Sequence, residues 1–131
     1  MMKRVNHIGI AVADLETAVD HYQRLLGQKP ERLQELPERG VRVCTFRLEE
    51  LELELIEPLG SEGKTIRRFL HKRGEGIHHI CLEVTDVVGE LKRLKAEGFT
   101  PIGSPVKGAS GRKIAFLRPE RGVLVELTES R

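Results

Sequence analysis

Aromatic residues are scarce in this chain: no Trp, one Tyr and four Phe in 131 residues. That scarcity excludes the stacking platforms on which single-stranded bases are held. An excess of one charge is also lacking, since 22 Lys and Arg against 20 Asp and Glu leave a net charge of +2. Neither nucleic acid nor a membrane surface is therefore expected as a partner. No stretch approaches the ~20 apolar residues of a membrane span. The opening "MMKRVNHIGIAVADLE" meets Asp14 and Glu16 too soon for the apolar core of a signal peptide. Cys44 and Cys81 form no CxxC pair, so they read as reduced, buried thiols and the expected location is the cytoplasm.

What the chain does have is an ordinary globular composition, 39% hydrophobic and 32% charged. Its length suits one domain, residues 1–131, or two small modules sharing a core. It also repeats itself. "VNHIGIAVADLETAVDHYQRLLGQKP" from Val5 matches "IHHICLEVTDVVGELKRLKAEGFTP" from Ile77. His7 falls on His79, Asp14 on Asp86 and Glu54 on Glu126, each at an offset of 72 residues. Between them the register slips by one, pairing Pro30 with Pro101 and Arg47 with Arg118, as a turn tolerates. The modules are residues 1–59 and 77–131, and residues 60–76 connect them.

Each module reads as βαβββ. Residues 5–12 alternate and are rich in β-branched side chains, which predicts a strand. Asp14 is the expected cap of a helix with an apolar stripe of Ala18, Tyr22, Leu25 and Leu26, stopped by Gly27. Asp86 is the matching cap of a second helix, with Val87, Leu91, Leu94 and Lys95 at helical spacing before Gly98. Three strands are expected after each helix, near 30–36, 41–48 and 51–57, then near 100–105, 112–118 and 122–128. The connector, "GSEGKTIRRFLHKRGEG", allows one or two helical turns around residues 65–71.

Alternation separates two faces. Ile8, Ile10 and Val12 share one, and His7, Gly9 and Ala11 the other; Ile80, Leu82 and Val84 oppose His79, Cys81 and Glu83. Leu51, Leu53 and Leu55 likewise oppose Glu52 and Glu54, and Val123, Val125 and Leu127 oppose Leu124 and Glu126. His78 is assigned to the helix-packed face and His79 to the other. A lone glutamate on an amphipathic strand is more often a solvated residue. Two histidines and two glutamates at matched repeat positions, His7, Glu54, His79 and Glu126, point instead to a divalent-metal site. Imidazole with carboxylate suits Zn, Co, Ni, Mn or Fe(II).

With those residues in view, the chain resembles the vicinal oxygen chelate superfamily from "NHIGIAVADLETAVDHY" onward. "LELIEPLG", "FLHKRGEGIHHICLEV" and "GASGRKIAFLRPERGVLVELTE" look specifically like the methylmalonyl-CoA epimerase family. The resemblance implies an α+β fold in which two paired βαβββ modules form a curved mixed sheet around a metal. It implies an enzyme that interconverts (2R)- and (2S)-methylmalonyl-CoA by removing the Cα proton through a metal-stabilised enolate. It also implies His7, Glu54, His79 and Glu126 as ligands, with Glu126 doubling as a catalytic base, an acyl-CoA partner and a homodimer.

The chain departs from that pattern at one place. Some family members carry a second acid after the "GV" turn, where "RGVRVCTF" has Val43; Glu52, Glu83 or a water could take that role. The loop "KGASGRK", residues 107–113, offers backbone amides to a carboxylate or thioester or is a plain turn. Arg67, Arg68, His71, Lys72 and Arg73 either meet coenzyme A phosphates or form a solvated face. The rival readings are a glyoxalase I-type lactoylglutathione lyase and a metal-free ligand-sequestering protein of the bleomycin-resistance type. "RPERGVLVEL" stands where glyoxalases commonly have "DPDGY", and four intact ligands count against the second. An extradiol dioxygenase, with two His and one Glu, leaves Glu54 unexplained.

Overall fold

The computed structural model describes residues 1–108 and 110–130. Among them are eight strands and three helices, the expected α+β class. In chain order these are β1 (Met2–Ala11), α1 (Leu15–Leu26), β2 (Arg32–Leu36), β3 (Val41–Leu48), β4 (Leu51–Pro58), α2 (Lys64–Arg73), β5 (Gly76–Val84), α3 (Val87–Ala96), β6 (Pro101–Lys107), β7 (Lys113–Leu117) and β8 (Leu124–Glu129). The chain forms two compact units: Ile8–His78, and Met1–His7 together with the chain from His79 onward. No helix among the described residues is long and apolar enough to cross a membrane.

In the Ile8–His78 unit the strands run in the order β2-β3-β4-β1, with β3 antiparallel to both β2 and β4. Asp14 caps α1 as expected, its side chain accepting the Thr17 N–H. The stop at Gly27 has φ 70°, a left-handed turn that a side chain would strain. Leu15, Ala18, Val19, Tyr22 and Leu26 pack on Ile10, Val12, Cys44, Phe46, Leu53 and Leu55. Leu25, expected in that stripe, is 66% exposed. It lies about 100° round the helix from Leu26, beyond the strip that the strands cover.

The connector helix α2 is longer than expected, and a short 3-10 turn, Pro37–Arg39, was not foreseen. Ile66, Phe69 and Leu70 cover Ala11, Val43 and Ile56, which alternate with the residues under α1. The two helices therefore pack on opposite faces of these strands. Gly40 permits this: its φ is 71°, and a Cβ there would fall 2.1 Å from the Glu62 carbonyl carbon.

In the other unit the order is β5-β8-β7-β6, with β5 and β8 parallel and the remaining pairs antiparallel. Helix α3 buries Val87, Leu91 and Leu94 on Val84, Ala115, Leu117 and Leu127. Asp86 occupies the cap position but makes no side-chain cap bond. The Glu129 carboxylate accepts the Val87 N–H, at 2.9 Å.

Candidate metal and active centre

Three of the four residues singled out by the repeat meet in the unit that contains Met1–His7 and His79 onward. His7 on β1, His79 on β5 and Glu126 on β8 each expose 10–13% of their side chain. The His7 and His79 Nε2 atoms are 3.1 Å apart, and Glu126 Oε1 lies 3.5 Å from each. The rings stand edge-on, with centroids 5.2 Å apart and planes at 90°. Donors held ~2.1 Å from one ion lie about 3.0 Å apart at right angles and about 3.4 Å apart in a tetrahedron. The observed triangle thus has the size of one face of a coordination shell, and two imidazoles with a carboxylate are a suitable donor set for Zn, Co, Ni or Mn.

Behind this triangle is a support that the sequence did not reveal. His7 Nδ1 is 2.8 Å from Asn6 Oδ1, an acceptor, so Nδ1 donates and the Nε2 lone pair faces the centre. The Asn6 amide donates in turn to Glu83 at 3.4 Å. Arg4 at 3.2 Å and Arg112 at 3.5 Å hold the same Glu83 oxygen. Glu83, a candidate second acid, is therefore the anchor of a relay that orients His7. Cys81 is expected as a reduced, buried thiol on the face of β5 that carries His79. It is fully buried, and its sulfur joins His7 and Glu126 in a cluster of ligand atoms within 4.8 Å of one another.

Glu54 lies on β4 in the Ile8–His78 unit, half-buried and directly across from Thr45. Glu52, on the same face, is bound by Arg32 at 3.1 Å and by Arg47. Val43 is buried among Ala11, Ile56 and Ile66. His78 packs edge-on against Phe69 of α2, with ring centroids 5.0 Å apart, and burial lowers its pKa below the usual histidine value. In the 107–113 loop, Ala109 lies outside the described residues. The Gly108 amide donates to the Arg112 carbonyl and the Gly111 amide to the Gly108 carbonyl, so these two N–H groups serve the turn itself.

Residues 6–116 match the glyoxalase/bleomycin resistance protein/dioxygenase superfamily. The chain is 43% identical to an ethylmalonyl-CoA/methylmalonyl-CoA epimerase of Cereibacter sphaeroides, over 98% of this chain and 99% of that protein. It is 40% identical to the human mitochondrial methylmalonyl-CoA epimerase, over 97% of this chain and 74% of that protein. A crystal structure of methylmalonyl-CoA epimerase from Mycobacterium tuberculosis superposes with a TM-score of 0.85 at 30% identity, over 99% of this chain and 89% of that one. A triangle of two imidazoles and a carboxylate, carried on paired βαβββ modules and matched to these proteins along nearly its whole length, makes this chain a member of the methylmalonyl-CoA epimerase family within that superfamily.

Proposed function

We propose that the protein epimerises methylmalonyl-CoA, with His7, Glu54, His79 and Glu126 holding a divalent metal such as Co, Zn, Ni or Mn. The observation that carries this reading is the 3.1–3.5 Å triangle of His7, His79 and Glu126. Glu54 enters as the fourth ligand through the repeat, 72 residues before Glu126. A bound divalent ion supplies Lewis-acid stabilisation of the negative charge that develops on the substrate when its Cα proton leaves.

The chain's own residues do the remaining work. Glu126 faces both imidazoles through Oε1, which leaves Oε2 to take the Cα proton. The Asn6–Glu83 relay fixes His7 in the tautomer that keeps Nε2 available. Return of a proton to the opposite face of the planar carbon inverts the centre. Val43 has no proton to give, and Glu52 and Glu83 are bound to arginines, so a water is the acid on that face, and the hydroxide it leaves is neutralised by the proton that Glu126 gives up through solvent. We place the protein in the cytoplasm as a homodimer, since neither thiol is in a disulfide and each unit has a modest core.

The test is Cα exchange. Metal-loaded protein is incubated in deuterated water with (2R)- or (2S)-methylmalonyl-CoA and followed by NMR. Deuterium should enter Cα as the enantiomers interconvert, and a chelator should stop both. No exchange, together with turnover of the hemithioacetal of methylglyoxal and glutathione, would replace this reading by a glyoxalase. Light scattering near 14.8 kDa at micromolar concentration would remove the dimer.

A further inference from the structure

Helix α2 carries Lys64, Arg67, Arg68, His71 and Lys72 at the i, i+3, i+4, i+7, i+8 spacing of a single helical face. All five are exposed, while Ile66, Phe69 and Leu70 on the other side pack on Ala11, Val43 and Ile56. No acidic residue interrupts the ten residues of the helix. Among the described residues none of the five forms an ion pair with a carboxylate. Like charges at i, i+4 oppose helix formation, and here they recur at Lys64/Arg68 and Arg68/Lys72. The rest of the chain does not share this bias: α2 carries five Lys and Arg and no acid, so the remainder accounts for −3 of the net charge of +2. Elsewhere in the same unit arginines are placed against glutamates, as Arg32 and Arg47 are against Glu52.

The place of the helix matters as well. Phe69 stacks edge-on against His78, the residue before His79 in the chain. Ile66 packs with Ile56, which shares its face of β4 with Glu54. We propose that this cationic stripe, about 12 Å long from Lys64 to Lys72, binds the 5′-diphosphate and 3′-phosphate of the coenzyme A nucleotide. The inference rests on the acyl-CoA reading of the active centre. Its role is capture: phosphates are drawn to the stripe over long range and the acyl end is delivered to the reacting residues. Such steering multiplies association rates by roughly 10–10³ and falls steeply with salt.

The test uses the full chain with Arg67→Gln, Arg68→Gln and Lys72→Gln combined. These positions are exposed, so the triple variant should melt at or above the wild-type temperature. Calorimetric titration with adenosine 3′,5′-bisphosphate, which has no acyl group, should show binding to wild type that weakens at least about tenfold in the variant at low salt. Steady-state kinetics should show kcat/KM for methylmalonyl-CoA falling about tenfold through KM, with the loss shrinking at high salt. Methylmalonyl-pantetheine, which lacks the nucleotide, should be turned over equally by both proteins. Equal bisphosphate binding by the two proteins, or no binding by either, overturns the proposal. So does an equal loss with both substrates, because the helix would then act through the fold. Wild-type protein that binds the bisphosphate yet turns over no acyl-CoA would leave the stripe standing and remove the epimerase reading instead.

Discussion

The backbone N–H of Leu15 donates to the Glu57 carboxylate at 2.8 Å, tying the first turn of α1 to the end of β4. Seventy-two residues later Val87 and Glu129 make the same bond at 2.9 Å. In each unit a strand-borne carboxylate thus sits at a helix N-terminus, where orphan amides and the helix dipole favour negative charge. Helix α1 has a second cap in Asp14, whereas Asp86 makes no such bond at α3. Glu129→Ala should therefore cost about 1–2 kcal/mol. Asp86→Ala should cost less, and urea denaturation of both variants decides the order.

Thr45 is 1% exposed, and among the described residues its hydroxyl has no hydrogen-bond partner. A buried unsatisfied group costs about 1–3 kcal/mol, and valine fills the same volume without it. Thr45→Val should raise stability by about 1 kcal/mol in urea unfolding. A loss of that size would show that the hydroxyl has a partner in solution.

The adjacent histidines of β5 should separate cleanly. His79→Ala should abolish metal binding in a competition assay with a chromophoric chelator. His78→Ala removes the ring against Phe69 and should lower the melting temperature while metal affinity stays within about twofold of wild type, far short of the 10–100-fold of a lost supporting residue. The reverse pattern would mean that the β5 register is inverted.

Glu126→Gln keeps an oxygen donor and removes the base. The variant should still take up metal, more weakly, while Cα deuterium exchange falls at least ~10²-fold. Full metal occupancy with undiminished exchange from both enantiomers would reduce Glu126 to a ligand.

Acid should weaken α3. Arg93 bonds the Glu90 carboxylate at 2.9 Å and holds its pKa below the ordinary 4.5, with burial opposing. A lowered folded-state pKa means that the unfolded chain binds the proton more readily. The stabilisation is thus complete above pH 4.5 and is lost as pH falls through the folded-state value. Glu90→Gln should be less stable than wild type by about 1 kcal/mol at pH 7, and the gap should close below pH 4.5 in melting curves.

The legible parts of this molecule were those that periodicity encodes. Alternation and a fixed offset bring His7, His79 and Glu126 to one face, and the structure places their donor atoms within 3.5 Å. The illegible parts depend on partners far away in sequence. Parity placed Glu83 on the right face, but only the folded chain brings Arg112, 29 residues on, to its carboxylate. The Asn6–His7 bond joins neighbours on a strand, which simple alternation assigns to opposite faces. Asp86 looked like a cap because Asp14 is one, yet its side chain makes no cap bond, and the carboxylate that does meet the helix start, Glu129 at the Val87 N–H, lies 42 residues beyond Val87. Leu25 continued an apolar stripe in sequence that ran past the edge of the strands beneath it.

The compact units are out of step with the repeat. β1 is divided after His7 and β5 before His79, so each unit contains strand residues drawn from both copies. This bears on recombination between relatives. A single crossover in the connector, which respects the repeat, would put strand segments of two parents inside both units at once. A paired crossover, one at the His7/Ile8 bond and one at the His78/His79 bond, exchanges a whole unit and keeps each parent's packed side chains together. It would also inherit His7, His79 and Glu126 as one block from one parent, with Glu54 from the other.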